Sequence, residues 1–476
     1  MSRLPRHDPY SRGRIVAARD WWRRALRQFL AFPVVVVAGF LVLAVAVFVV
    51  DQAVFGAFEE QHGGSLLSRL FGDREADSSL LSTVAQSIIS VTAITFSLLL
   101  VAVQQGAASL TNQVFDQFLH RRSNQFFFGY FVGLSIFALF NLATVSSLHQ
   151  PVLGTLLSLV LTAVALCMVV VLIYTTIDQM RAPVVVREIC RQLLMAREGQ
   201  HALLRLTRRT ERPGLGHAVA VAGWTTGYVD RVEVAPLEAA CAAVPGVELR
   251  VSVSIGQMMG WGETLAELCS AAPLPDAVAA SLADAVRAAV VVDDERALLR
   301  DPGLGVMQLA TIAWTSASSA ASNPASAVAA VQGLRDVLLR WAGEAVPEAP
   351  GSAVVYPDNL VRQALDGVES VVVAASESLQ HQTLAEAYAL LASVVGRLRP
   401  DARRQAEAIV LASITTLGEH VPARLLLAAA DSLAAALRAA GCGEGAEALA
   451  REAEGMRGTR GRLGSRGDRG GTGAGA

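Results

Sequence analysis

The chain has 476 residues, a formal net charge of −2 and a hydrophobic content of 53%, with a mean hydropathy of +0.43; this is apolar for a wholly soluble protein and points to membrane spans. All 40 basic residues are arginine, which excludes chemistry that needs a lysine: a Schiff base, a lysine-containing phosphate loop, a kinase-type ATP lysine, or a lipoyl or biotinyl attachment. The cysteines, Cys167, Cys190, Cys241, Cys269 and Cys442, are odd in number with no close pair, so neither a disulfide framework nor a zinc cluster is expected.

Residues 1–28 form a basic arm carrying Arg3, Arg6, Arg12, Arg14, Arg19, Arg23, Arg24 and Arg27. Four apolar segments follow, at 30–50, 80–103, 126–145 and 152–177, in a membrane domain of 29–178. Each meets the roughly 20 residues that a helix needs to cross hydrocarbon, and none contains Asp, Glu, Arg or His, so four transmembrane helices are predicted. The first is no cleaved signal peptide, because it is long, follows a long arm and is succeeded by Asp51 instead of a small-residue cleavage site.

Arginine placement sets the orientation. The arm is basic, and the exit from the fourth segment carries Arg181, Arg187, Arg191 and Arg197, so both termini are expected in the cytoplasm of a cell whose inner membrane the protein spans. The loop at 51–79 has only Arg69 and Arg74 against six acidic residues, as an outer loop should, and 146–151 is read as a tight outer turn. Arg121 and Arg122 mark an inner loop, and Trp21 and Trp22 are placed near the inner interface. These arginine clusters suit anionic lipid at the inner face; nucleic acid is not expected as a partner.

The second segment carries a polar stripe. At about 100° per residue, Thr83, Gln86, Ser87, Ser90, Ser97, Gln104 and Gln105 fall within about a third of the helix circumference, with Ile94 and Val101 interrupting it and Thr92 and Thr95 elsewhere. Such a face can line a pore, where hydroxyls and amides replace ion hydration. It can equally be glue between helices. In the third segment Gly129 and Gly133 are a small-xxx-small pair that favours helix packing, and Asn141 sits toward its outer half. Without intramembrane carboxylates, a proton-coupled transporter of the usual kind is not expected.

After Asp178 the character changes. A helical stalk is expected at 179–212, continuous with the fourth span and ended by Pro213-Gly214. Residues 213–270 are expected to form a small β-module, with alternation across Glu248 to Val253 and turns at Gly227, Gly246, Gly256, Gly260 and Gly262. The spacing of those glycines is not a dinucleotide fingerprint. Amphipathic helical regions are predicted at 271–345 and 358–455, separated by a linker at 346–357, and the Gly/Arg-rich tail at 456–476 is predicted to be disordered. The eight histidines are scattered, no metal-ligand spacing occurs and no G-x-S-x-G is present, so neither a metal site, a cofactor nor an enzyme is expected. Glu295, Arg296 and Asp301 cluster at a helix entrance, where they are read as a structural junction.

Several strings resemble an uncharacterised bacterial family of predicted membrane proteins, the domain-of-unknown-function family numbered twenty-two fifty-four. Phe96-Ser97 and the residues after it resemble its phenylalanine-serine helix; Phe118, Asn124-Gln125 and Gly129 resemble the approach to its third span; Gly227-Tyr228-Val229 resembles its glycine-tyrosine-valine strand. The most specific stretch is Glu295, Arg296, Asp301, Pro302, Gly305, Gln308, Leu309, Ile312, Ala313, Ser318, Pro324 and Ala327, at the family's spacing without a gap. This chain departs from it at Asn112-Gln113, where the family typically has Pro-Arg, and at Ser322-Asn323-Pro324, where it typically has Asn-Asp-Pro. The resemblance implies architecture and no established activity. The sequence thus describes a mainly α membrane protein, four transmembrane helices followed by a small cytosolic β-module and a helical cytosolic region. Its expected function is that of an oligomeric, channel-like protein assembled or gated by the cytosolic region, the alternative being a non-transporting scaffold or sensor.

Overall fold

The computed structural model describes residues 31–58, 74–109, 122–145, 151–179, 181–318 and 324–467. The basic arm, the centre of the first loop, Asn112-Gln113, the turn at 146–150, Ser322-Asn323 and the end of the tail lie outside the described residues. The chain divides into an N-terminal unit, Met1–Arg181, and a C-terminal unit, Ala182–Ala476.

In the N-terminal unit four helices are long and apolar enough to cross a membrane: α1 (Ala31–Phe58), α2 (Arg74–Ser109), α3 (Arg122–Thr144) and α4 (Val152–Gln179). The sequence reading begins the first loop at Asp51, but α1 runs on to Phe58. Helix α3 packs against the other three. Lipid tails are as apolar as the side chains, so close approach and specific contacts, more than hydrophobic burial, hold such helices together. A Cβ on Gly129 would stand 2.8 Å from Val36 Cβ and 3.1 Å from the Pro33 backbone, and Gly133 lies directly against the Phe40 ring. Phe40 meets Tyr130 edge to face at 5.2 Å between centroids, and the Tyr130 hydroxyl donates to the Leu161 carbonyl at 2.9 Å.

The C-terminal unit begins with α5 (Ala182–Arg205). Helix α4 is described to Gln179, and α5 carries Pro183 in its first turn. Helix α5, expected as a helical stalk, is packed on helices of its own unit. Its apolar face, including Val186, Ile189, Cys190 and Leu193, is buried against α8 (Pro302–Ser318) and α9 (Pro324–Ala342), which approach closely at Gly305 and Gly333.

Two sheets follow. One is four-stranded in the order β1 (His217–Ala222), β5 (Thr264–Ser270), β3 (Glu248–Val251), β7 (Val354–Val355), antiparallel except for the parallel β3/β7 pair. The other is antiparallel, in the order β4 (Met258–Met259), β2 (Gly227–Val232), β6 (Val290–Asp293). Helices α6 (Val234–Ala242) and α7 (Asp276–Ala289) cover them, and their side chains join Val229, Leu249, Leu265 and Leu268 in one core. The β-module therefore extends past the expected 213–270. Residues 346–357 are not a bare linker, because they supply β7, which pairs with the edge of β3. An open strand edge carries unpaired backbone groups, and β7 satisfies them.

The remaining helices are α10 (Leu360–Glu377), α11 (His381–Val394), α12 (Pro400–Leu417), α13 (Arg424–Ala439) and α14 (Gly443–Gly467). They continue the array begun by α8 and α9, since α8 packs on both α9 and α10, and α9 on α11. Disorder from residue 456 is a further expectation that fails: Met456 is buried, Arg457 pairs with Asp431 and Glu454, and the helix runs to Gly467. Once the preceding turns are docked, each added residue needs no new nucleation.

Candidate functional site

Helix α2 is two-faced. Leu81, Val84, Ala85, Ile88 and Thr95 are buried within the N-terminal unit. On the other side Thr83, Gln86, Ser87, Ser90, Ser97 and Gln104 are all exposed. The polar stripe is thus turned away from the described helices of its own unit, whose packing uses the opposite face. The side chain of Gln105 lies outside the described residues. Near the start of the stripe the polar atoms satisfy one another: Thr83 Oγ1 donates to the Ser79 carbonyl at 2.8 Å and Gln86 Nε2 to Ser82 Oγ at 3.1 Å. Among the described residues, the hydroxyls of Ser87, Ser90 and Ser97 have no partner. The two threonines off the stripe behave otherwise, Thr95 being buried and Thr92 donating to the Ile88 carbonyl at 2.6 Å. An exposed amide or hydroxyl at membrane depth costs free energy against lipid, so a row of them calls for water or another protein surface.

The junction residues form a second locus. Asp301, only 2% exposed, receives Arg296 Nε at 2.6 Å on one oxygen and the Leu304 amide at 3.1 Å on the other, which caps the start of α8. Gly256, at φ +83°, lies directly on the Asp301 carboxylate, where any Cβ would overlap it. The Arg296 guanidinium stands 5.9 Å from the centre of the Tyr228 ring, a cation–π distance. Glu295 does not join them; it is exposed and forms no ion pair among the described residues. Arg296 opens onto a cleft of about 560 Å³ between α8, α10 and the β3–β4 turn, with Gln257, Met307, Thr311, Trp314 and Asp366 among its walls.

The profile of the family described as Predicted membrane protein (DUF2254) matches residues 27–363. The chain belongs to this family. No curated protein and no solved structure matches it. The match to DUF2254 takes in the whole polar stripe and the Arg296–Asp301 junction, and it ends shortly before Asp366.

Three polar features of this DUF2254 protein escape a reading of the sequence. Asp51 is 1% exposed, and its carboxylate accepts the Leu153 amide at 3.1 Å and the Gly154 amide at 3.2 Å, so a side chain of α1 caps the start of α4. Asn141 is buried against Gly154 in the same region. The preference of carboxylates for helix N-termini is general, but nothing local in the sequence says which helix Asp51 serves. In the C-terminal unit Arg197 is 5% exposed and donates Nη1 and Nη2 to Asp358 at 2.9 and 2.8 Å and Nε to Glu344 at 2.8 Å. Burial alone would lower the Arg197 pKa, and the two carboxylates more than offset it, so it is raised. Glu248, fully buried, is gripped by Arg208, by Arg250 at 2.9 Å and by the Arg212 amide at 3.0 Å. Burial pushes its pKa up, these bonds push harder the other way, and it is lowered.

Proposed function

We propose that this protein is an oligomeric, channel-like component of the inner membrane, with both termini in the cytoplasm and the C-terminal unit assembling or gating it, and that it catalyses no reaction. One observation carries the reading: the six stripe residues face outward from a helix whose other side is buried. The described helices of one unit leave that face uncovered, whereas copies arranged with their α2 helices about a common axis would direct it at water. The stripe is uncharged, so permeation there relies on amide and hydroxyl dipoles and not on a ring of carboxylates. The arginine-rich arm suits anionic lipid at the inner face, and its density of positive charge supports the proposed orientation.

Flux through protein reconstituted in liposomes tests this. Ser90→Leu and Ser97→Leu should narrow and dry the path, lowering flux at least several-fold while oligomer size and thermal stability stay at wild-type values. A wild-type protein shown to be folded in the liposomes, yet passing no ions or small solutes over a range of voltage, tension and pH, would refute the proposal. Loss of the oligomer with both substitutions and no wild-type flux would instead identify the stripe as a contact between copies of a scaffold.

A further inference from the structure

We propose that the cleft between α8 and α10 binds a small zwitterion with an apolar side chain, a free α-amino acid or a short peptide. This goes beyond the channel reading and does not depend on it.

The cleft has a donor end and an acceptor end. At the donor end, Arg296 commits Nε to Asp301, while Nη1 has only the Met307 sulfur at 3.5 Å and Nη2 has no acceptor among the described residues. Beside it, Gln257 uses Oε1 to accept the Ser254 amide at 3.1 Å, which leaves its NH2 to donate. At the acceptor end, Asp366 Oδ1 takes Gln405 Nε2 at 2.6 Å and Oδ2 has no donor among the described residues. Thr311 and Ser370 spend their hydroxyl protons on the carbonyls of Met307 at 2.7 Å and Asp366 at 3.0 Å, so toward a ligand their oxygens can only accept. A guanidinium edge suits a carboxylate. An ammonium carries three N–H donors, and Asp366, Thr311 and Ser370 provide three acceptors.

The two ends share one wall. Gln363 and the Arg296 Nη2 both abut Gly303, the latter 3.6 Å from its Cβ position, and Asp366 lies one helical turn beyond Gln363 on α10. Between the ends the wall is apolar, with Val306, Ala310 and Gly367, and two large side chains remain open to the cleft, Trp314 at 48% and Met307 at 44% exposure. A simple anion would meet Asp366, and a simple cation would meet Arg296. A molecule carrying both charges and an apolar group satisfies all three regions, and the volume lies inside the range of about 300–1,000 Å³ usual for small-molecule sites.

Calorimetry on the full-length protein in lipid nanodiscs tests the proposal with L-phenylalanine, L-leucine and the dipeptide phenylalanyl-phenylalanine, against 3-phenylpropionate and phenethylamine, which each keep one charge. At least one zwitterion should bind saturably, with both half-molecules about tenfold weaker or worse; which of the amino acid or the dipeptide binds more tightly identifies the source. Thr311→Val and Asp366→Asn should each weaken binding about tenfold without moving the unfolding transition. Arg296→Gln should do the same, but it also loosens Asp301, so the first two variants decide. The proposal is overturned if no zwitterion saturates, if a half-molecule binds as tightly, or if Thr311→Val and Asp366→Asn leave the affinity unchanged. Because binding is read directly, failure of the channel reading would leave this result standing.

Discussion

Replacing Asp301 separates two contributions that the structure joins in one carboxylate. One oxygen caps α8 through the Leu304 amide and the other pairs with Arg296 Nε, in surroundings that leave Asp301 2% exposed. Loss of a helix cap costs about 1 kcal/mol, and loss of a charge-assisted bond costs about 1.5–3 kcal/mol. Asp301→Ala should therefore destabilise the start of α8 by about 2.5–4 kcal/mol, less whatever water recovers at Arg296, whose side chain is 17% exposed. Asp301→Asn keeps a good capping group and forfeits the charge, so about 1–2 kcal/mol is expected. Global unfolding of a chain with two units need not be two-state. Hydrogen exchange of the amides at the start of α8, in full-length protein, reports the local opening instead. At about 1.4 kcal/mol per decade, Asp301→Ala should speed that exchange by about a hundredfold and Asp301→Asn by about tenfold. Exchange in Asp301→Ala within about a factor of two of wild type, or equal effects of the two substitutions, would refute this division of roles.

Gly129→Ala and Gly133→Ala should each destabilise the N-terminal unit by about 1–3 kcal/mol, because the new methyl would stand 2.8 Å from Val36 Cβ and 3.1 Å from the Pro33 backbone at 129, and 2.9 Å from Phe40 Cγ at 133; thermal unfolding midpoints in detergent measure both, and an unchanged midpoint for either would contradict the packing described. Glu248 has a folded pKa below its ordinary 4.5, so on acidification the unfolded chain takes up the proton first. Its contribution to stability is complete above about 4.5 and is lost as pH falls through the lowered folded value, so denaturation midpoints followed from neutral pH downward should fall there for the wild type and flatten for Glu248→Gln.

The sequence by itself determined the four membrane helices, because twenty-residue apolar runs have few other solutions and their periodicity is local. It also placed the polar residues of α2 on one face, since helix geometry fixes which side chains share a side. It could not say where that face points; the burial of Leu81, Val84 and Ile88 decided this, and it depends on how α2 docks beside α3. The same limit applies in the C-terminal unit. The strand of Val354-Val355 is too short to carry a period, and its pairing with Leu249-Arg250 spans about a hundred residues, so a segment that reads as a linker becomes the edge of a sheet. Arg296 and Asp301 are near neighbours in sequence, and their pairing was legible, whereas Gly256, Gln257, Gln363 and Asp366 reach the cleft from distant elements. Asp51 shows the principle most plainly: its charge and its position after an apolar run are local facts, but its acceptance of the Leu153 and Gly154 amides exists only once α1 and α4 stand side by side. Periodicity is written within a helix, and partnership between elements is settled by whichever docking satisfies their exposed polar groups.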